Sequence, residues 1–176
     1  MKRITLTLGL TVALGIAMGV IGPQAMNAQG QQKKPTELLK TDLKEKFVGS
    51  WKLVSYEIGA SQPMGPNAVG LLTYDADGRM SLQVMRPGRP KFRTSGGEDG
   101  GYEAGTAEEV MSAYRGYIAY FGTYEANEEG RFVTHHIEGS LFPNWVGREQ
   151  IELFELSGDR LTLGLNQIRY IWKRMK

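Results

Sequence analysis

Three loops of three or four residues constrain this chain more than anything else in it. Asp75-Ala76-Asp77-Gly78, Glu128-Glu129-Gly130 and Ser157-Gly158-Asp159 each separate two short apolar runs. Glycine and aspartate tolerate the positive φ of tight hairpin turns, so the flanking runs are expected as antiparallel neighbours. Strands are predicted at about 50–58, 69–75, 79–86, 121–127, 131–139, 148–156, 160–165 and 168–175. A helix is predicted after the third strand, where Thr106 and Glu109 have capping-box spacing. It is expected to run to about Phe121, burying Val110, Ala113, Tyr114, Tyr117, Ile118 and Phe121 along one face. A second, short helix is predicted over 36–47, with Leu39, Leu43 and Phe47 on one side. The fold class expected is therefore mainly β: an eight-stranded antiparallel barrel with one inserted helix and a short N-terminal helix. A two-sheet sandwich is the alternative. Closure of a sequential meander removes exposed strand edges, which favours the barrel.

The first thirty residues do not fit that pattern. Lys2 and Arg3 precede an uncharged apolar run from Ile4 to Ile21, then Gly22-Pro23 and small residues at Ala25 and Ala28. This is the layout of a signal peptide over residues 1–30, cleaved after Gly30 or Ala28, and it predicts an exported, periplasmic or secreted protein. An uncleaved membrane anchor is the other reading of the same run. A linker and short helix over 31–46 then lead into a barrel domain over 47–176. The chain has 21 basic and 19 acidic residues; without Lys2 and Arg3 the basic count falls to 19, leaving the rest formally neutral. Neutrality argues against nucleic acid as a partner, and no membrane contact is expected after cleavage. With no cysteine in 176 residues, disulfides, thiol chemistry and iron–sulfur clusters are excluded.

Taken as a whole, the chain resembles the bacterial and fungal lipocalin-like domain family of small β-barrel proteins over about Phe47 to Arg174. The residues that carry the resemblance begin with Val48-Gly49-Ser50-Trp51-Lys52-Leu53, a glycine and tryptophan opening an apolar strand. They continue through Gly70-Leu71-Leu72-Thr73-Tyr74, Tyr114-Arg115-Gly116-Tyr117, Val133-Thr134-His135-His136-Ile137-Glu138-Gly139 and Pro143-Asn144-Trp145-Val146-Gly147. The resemblance implies a barrel suited to a small, largely apolar molecule, with isomerisation or cyclisation in some relatives. It also implies a structural role for Gly49 and Trp51, with a basic side chain of the last strand packing across the tryptophan at the closed end; Arg169, Lys173 and Arg174 are the candidates, and Arg174, which shares a strand face with Tyr170 and Trp172, is favoured.

Candidate chemistry is sparse. His135 and His136 are the two histidines, and adjacent strand residues point to opposite faces. If the Val133/Ile137 face is interior, His135 points inward. If the Thr134/Glu138 face is interior, His136 and Glu138 become neighbours on the cavity wall and form a candidate general acid–base pair. His136, Glu138 and His135 are thus the catalytic candidates, and neither histidine has the companions a metal site needs. No metal and no cofactor is expected. The candidate ligand-binding residues are Tyr114, Tyr117, Phe121, Tyr124, His136, Phe142 and Trp145, because aromatic rings combine apolar area with polar handles.

Three readings follow. The first is an exported, non-enzymatic barrel that encloses one small apolar or amphipathic molecule. The second is an isomerase or cyclase using a cavity histidine and carboxylate. The third is a filled structural barrel with no ligand. A void in the barrel separates the first two from the third.

Overall fold

The structure, a computed structural model, describes residues 43–92 and 105–176. Residues 43–47 are helical (α1), and the strands are β1 (Gly49–Ile58), β2 (Val69–Tyr74), β3 (Arg79–Met85), β4 (Tyr117–Asn127), β5 (Phe132–Ser140), β6 (Glu149–Ser157), β7 (Arg160–Leu165) and β8 (Ile168–Arg174). Helix α2 (Ala107–Arg115) lies between β3 and β4. Each strand pairs antiparallel with the next and β8 returns to β1, closing an eight-stranded barrel. The expected signal segment and the helical positions before 43 lie outside the described residues, as do 93–104 of the glycine-rich loop.

Period-two burial builds the interior. Leu72 and Tyr74, Met80, Leu82 and Val84, and Leu161 and Leu163 alternate with more exposed residues on β2, β3 and β7. On β1 the alternation slips at a bulge between Leu53 and Ser55, which turns Tyr56 inward and leaves Val54 half exposed. At Gly122, where β4 shifts register against β5, an added Cβ would fall 1.9 Å from the carbonyl oxygen of His136. The wall closes there only because no side chain intervenes.

The inserted helix is shorter than expected. Its capping box is present: Thr106 Oγ1 accepts from Glu109 N–H at 3.3 Å, and the Glu109 carboxylate accepts from Thr106 N–H at 2.9 Å. It ends at Gly116, however, and Tyr117, Ile118 and Phe121 belong to β4. The stretch 117–124 satisfies two periods at once. Rich in aromatic and β-branched residues, it adopts the strand period, with Ile118, Tyr120, Gly122 and Tyr124 buried. Val110 and Tyr114, expected on a buried helix face, are exposed.

One end of the barrel is sealed. Phe47 of α1 and Trp51 of β1 are fully buried, and Trp51 Nε1–H donates to the Phe47 carbonyl at 2.9 Å. Arg174 lies with its guanidinium carbon 4.1 Å from the Trp51 ring centroid. It donates to the carbonyl of Val48 at 2.6 Å and to that of Lys46. Gly49 has φ +135°, and a Cβ there would meet Arg174 Nη1 at 2.8 Å, so this clasp requires glycine.

Candidate functional site

The polar content of the barrel interior is concentrated in one group of side chains. On β5 the Val133/Ile137 face is the inner one, so His135 is fully buried. Tyr74 Oη lies 2.6 Å from His135 Nε2, and Tyr120 Oη lies 3.0 Å from Nδ1. Burial, with a smaller contribution from His136, pushes the His135 pKa down to about 3, so the ring is neutral at ordinary pH. A neutral imidazole donates from one nitrogen and accepts at the other. Whichever tautomer forms, one tyrosine donates to the ring and the other accepts from it. The accepting tyrosine keeps its own O–H free for another partner. Burial holds both phenols well above the ordinary tyrosine range, so each remains protonated.

Two further buried groups lack partners. Glu152 Oε2 and Trp172 Nε1 are both buried with no hydrogen bond. Glu152 is 8% exposed, and burial pushes its pKa up to about 7. Tyr56, Tyr74, Tyr120 and Tyr170 all lie within reach of its charge. Tyr56 and Tyr170 stack at 4.5 Å between centroids, and Tyr170 stacks in turn on Trp172 at 6.1 Å. The interior thus holds one carboxyl oxygen and one indole N–H without partners. Unsatisfied groups of this kind are costly in a native protein and call for an explanation.

The sequence-predicted residues divide between the interior, the outer wall and one end of the barrel. His136 and Glu138 do not face the interior. His136 Nδ1 is 3.2 Å from Glu149 and Glu138 pairs with Arg79 at 2.7 Å, both on the outer wall. The alternative that made them a cavity acid–base pair is therefore corrected, because the apolar set Val133/Ile137 takes the interior. Phe121 also points outward, 52% exposed, with its ring over Gly139 of β5. Tyr117 alternates with buried Ile118 and lies under the Arg89 guanidinium at 5.1 Å. Tyr124 is inward but near the sealed end, its ring tilted against Tyr74 at 4.4 Å and its hydroxyl donating to the Asp75 carbonyl at 3.0 Å.

Tyr114, Phe142 and Trp145 come together at the other end. Tyr114 contacts Phe142 edge-on at 5.4 Å, Phe142 contacts Trp145 at 4.8 Å, and Trp145 contacts Tyr120 at 5.9 Å. An aromatic series thus runs from the exposed helix α2 inward to the His135 hydrogen-bond relay.

Sequence reasoning missed Glu152, Trp172, Tyr56, Tyr74 and Tyr170 as site residues. The signal for Glu152 was its parity with Phe154 and Leu156 on β6. Its neighbours Ile151 and Leu153 disguised it, because these two are the exposed residues. Two open depressions, of about 510 Å³ and about 450 Å³, lie at the outside of β6–β8 and at the sealed base. Neither is lined by His135, Glu152 or Trp172. Among the described residues no cluster of metal-ligating side chains is present.

A closed antiparallel barrel with a tryptophan–arginine base and an aromatic, polar-centred interior defines a calycin-like small barrel. The chain belongs to the lipocalin-like domain family, whose pattern matches residues 48–176. It is 38% identical over 90 residues to a protein of Aspergillus oryzae named a 4'-hydroxy-3'-methoxypropiophenone carrier protein, covering 48% of this chain and 77% of that one. A crystal structure of an uncharacterized protein from Bacteroides eggerthii is similar with a TM-score of 0.42 and 13% identity, covering 73% of this chain and 99% of that one.

Proposed function

We propose that this protein is a non-enzymatic binding protein that encloses one small aromatic molecule in its barrel, entering past Tyr114, Phe142 and Trp145. The observation that carries the reading is the presence of two buried, unpartnered polar atoms, Glu152 Oε2 and Trp172 Nε1, in a barrel interior rich in tyrosine. A filled structural barrel gains nothing from such groups, whereas a ligand would satisfy them. The carrier name of the Aspergillus relative supports the same reading. Catalysis by His135 is disfavoured because both ring nitrogens are engaged by tyrosines, leaving no base free for a substrate.

The apolar run after Lys2-Arg3 supports export of the mature protein. The expected result of native mass spectrometry on protein purified from its own host is a mass increment that is released, chemically unchanged, on denaturation. Protein with no increment and no capacity to displace an apolar reporter dye would refute binding. Intact mass of the mature chain tests export: loss of the first 28 or 30 residues is expected, and a full-length membrane-bound form overturns it.

A further inference from the structure

We propose that the end of the barrel opposite the Trp51–Arg174 clasp docks on an anionic phospholipid surface, its apolar side chains entering the headgroup layer and its arginines meeting phosphates. The docking goes beyond the binding reading and does not depend on it. The two ends of the barrel differ in what they show to solvent. At the far end, where β1, β3, β5 and β7 finish, Val110, Met111 and Tyr114 of α2 are between 38% and 47% exposed. The β5–β6 connection, which contains a 3-10 turn at Pro143–Trp145, adds Val146 at 50%. Ile58, Leu165 and Ile168 are exposed at the same end and in register, Ile58 with Ile168 and Ile168 with Leu165. At the sealed end Met175 is the one exposed large apolar side chain among the described residues. Apolar side chains gathered in this way mark a surface that something else covers.

Charge at the far end is also one-sided. Among the described residues Arg115 and Arg148 have no acidic partner, and the Arg86 guanidinium donates to the Pro63 carbonyl at 2.9 Å rather than to a carboxylate. Met111 and Arg115 stand one turn apart on α2, and Arg148 follows Val146 by two residues, so each of these two cations lies beside an exposed apolar side chain. The acidic groups there are mostly engaged: Glu109 closes the capping box, Glu57 lies 3.6 Å from Arg169 and Glu149 lies 3.2 Å from His136. Formal neutrality, which argues against a membrane, is a sum over the whole surface and hides this local excess.

The chemistry favours a lipid surface over a protein. Guanidinium groups bind phosphate through paired hydrogen bonds, and tyrosine and tryptophan, here Tyr114 and Trp145, settle at headgroup level. The apolar side chains come from separate connections around the barrel end. A fluid interface conforms to such a contour, whereas a protein partner has to match it.

Tryptophan fluorescence tests the docking, because Trp51 and Trp172 are fully buried in the barrel and Trp145 at the far end is half-buried. Residues 1–30 contain no tryptophan, so quenching of Trp145 by brominated lipid reports contact of this end whatever that segment does. The full chain is titrated with vesicles of brominated phosphatidylcholine, with and without phosphatidylglycerol, at low and high salt. Quenching is expected on the anionic vesicles and is expected to weaken as salt screens the arginines. Arg115→Gln combined with Arg148→Gln is expected to weaken binding about thirtyfold, each arginine near the surface contributing about fivefold. Met111→Ser combined with Val146→Ser is expected to weaken it about tenfold. All four side chains are exposed, so the denaturation midpoints are expected to stay nearly unchanged. Trp145→Phe is expected to remove the quenching while the protein still sediments with the vesicles. Absence of quenching, equal quenching with and without phosphatidylglycerol, or quenching indifferent to both paired substitutions would overturn the proposal. A solution dimer that Met111→Ser with Val146→Ser dissociates would also overturn it, assigning this end to a second copy of the chain.

Discussion

Trp51 and Trp172 are both fully buried inside the same barrel, yet they belong to opposite kinds of environment. Trp51 donates its N–H to Phe47 and carries Arg174 on its face, so every polar group at the sealed end has a partner within the fold. Trp172 has an N–H without a partner, as does one carboxyl oxygen of Glu152. One tryptophan closes its hydrogen bond within the fold and the other does not. Burial alone therefore says little about role, whereas hydrogen-bond satisfaction distinguishes a plug from a recognition surface.

The comparison breaks most sharply at the base. Trp51→Ala removes a large, fully packed side chain and should destabilise the fold by about 3–5 kcal/mol, measured by denaturant unfolding. A smaller loss than that of Trp172→Phe would remove the distinction between the two tryptophans.

Next in size is the effect of Glu152, and its sign is opposite. In the unfolded chain this carboxyl ionises near 4.5 and in the folded protein near 7, so the unfolded state loses its proton first. Stability is full below the unfolded value and is lost as pH rises through 7, by at most about 3 kcal/mol. Glu152→Gln should thus stabilise the protein at pH 8 by up to about that amount and leave it nearly unchanged at pH 4. His135 works the other way. Its pKa falls from 6.5 to about 3 on folding, so its contribution is present above 6.5 and is lost as pH falls toward 3. Between 4.5 and 6.5 the two slopes oppose each other in the native protein. In Glu152→Gln the histidine slope stands alone, and melting temperature should rise with pH across that window. A melting temperature that falls there would mean that His135 is protonated when folded.

Arg174→Ala should cost about 2 kcal/mol, since it deletes a cation–π contact and leaves the Val48 and Lys46 carbonyls without their charged donor. The smallest effect is expected outside the barrel. His136→Ala, on the outer wall, should alter stability by no more than about 0.5 kcal/mol and leave binding of an aromatic probe unaltered. A large loss of binding in this variant would reopen the outer face of β5 as a site.

Much of the fold was legible in the sequence because two signals coincide. Side chains alternate with period two, and the glycine- and aspartate-bearing loops mark where each strand turns back. Strand limits such as 160–165 matched, and the closing pair of Trp51 and Arg174 is in register on β1 and β8. The helix was overextended because residues 110–121 fit a helical period that α2 follows only as far as Gly116. Beyond that glycine, Tyr117 to Tyr124 form strand, where aromatic side chains pack against the pleat.

The site was less legible. Hydrophobicity places Ile151 and Leu153 inside and Glu152 outside, and the barrel does the reverse. The aromatic inventory was correct as chemistry, but its residues split between rim, outer wall and interior.

What the chain determines locally is the number of strands and their order, whereas the clasp at one end joins residues more than a hundred positions apart. Number and order depend on alternation, turn chemistry and neighbours close in sequence. Tertiary structure alone decides which face of each strand is enclosed, because that choice belongs to the closed barrel and its register rather than to any segment. It turned His135 inward and His136 outward, and it brought Glu152, Trp172 and four tyrosines from five strands around one interior. The partners those groups lack are a property of that assembly.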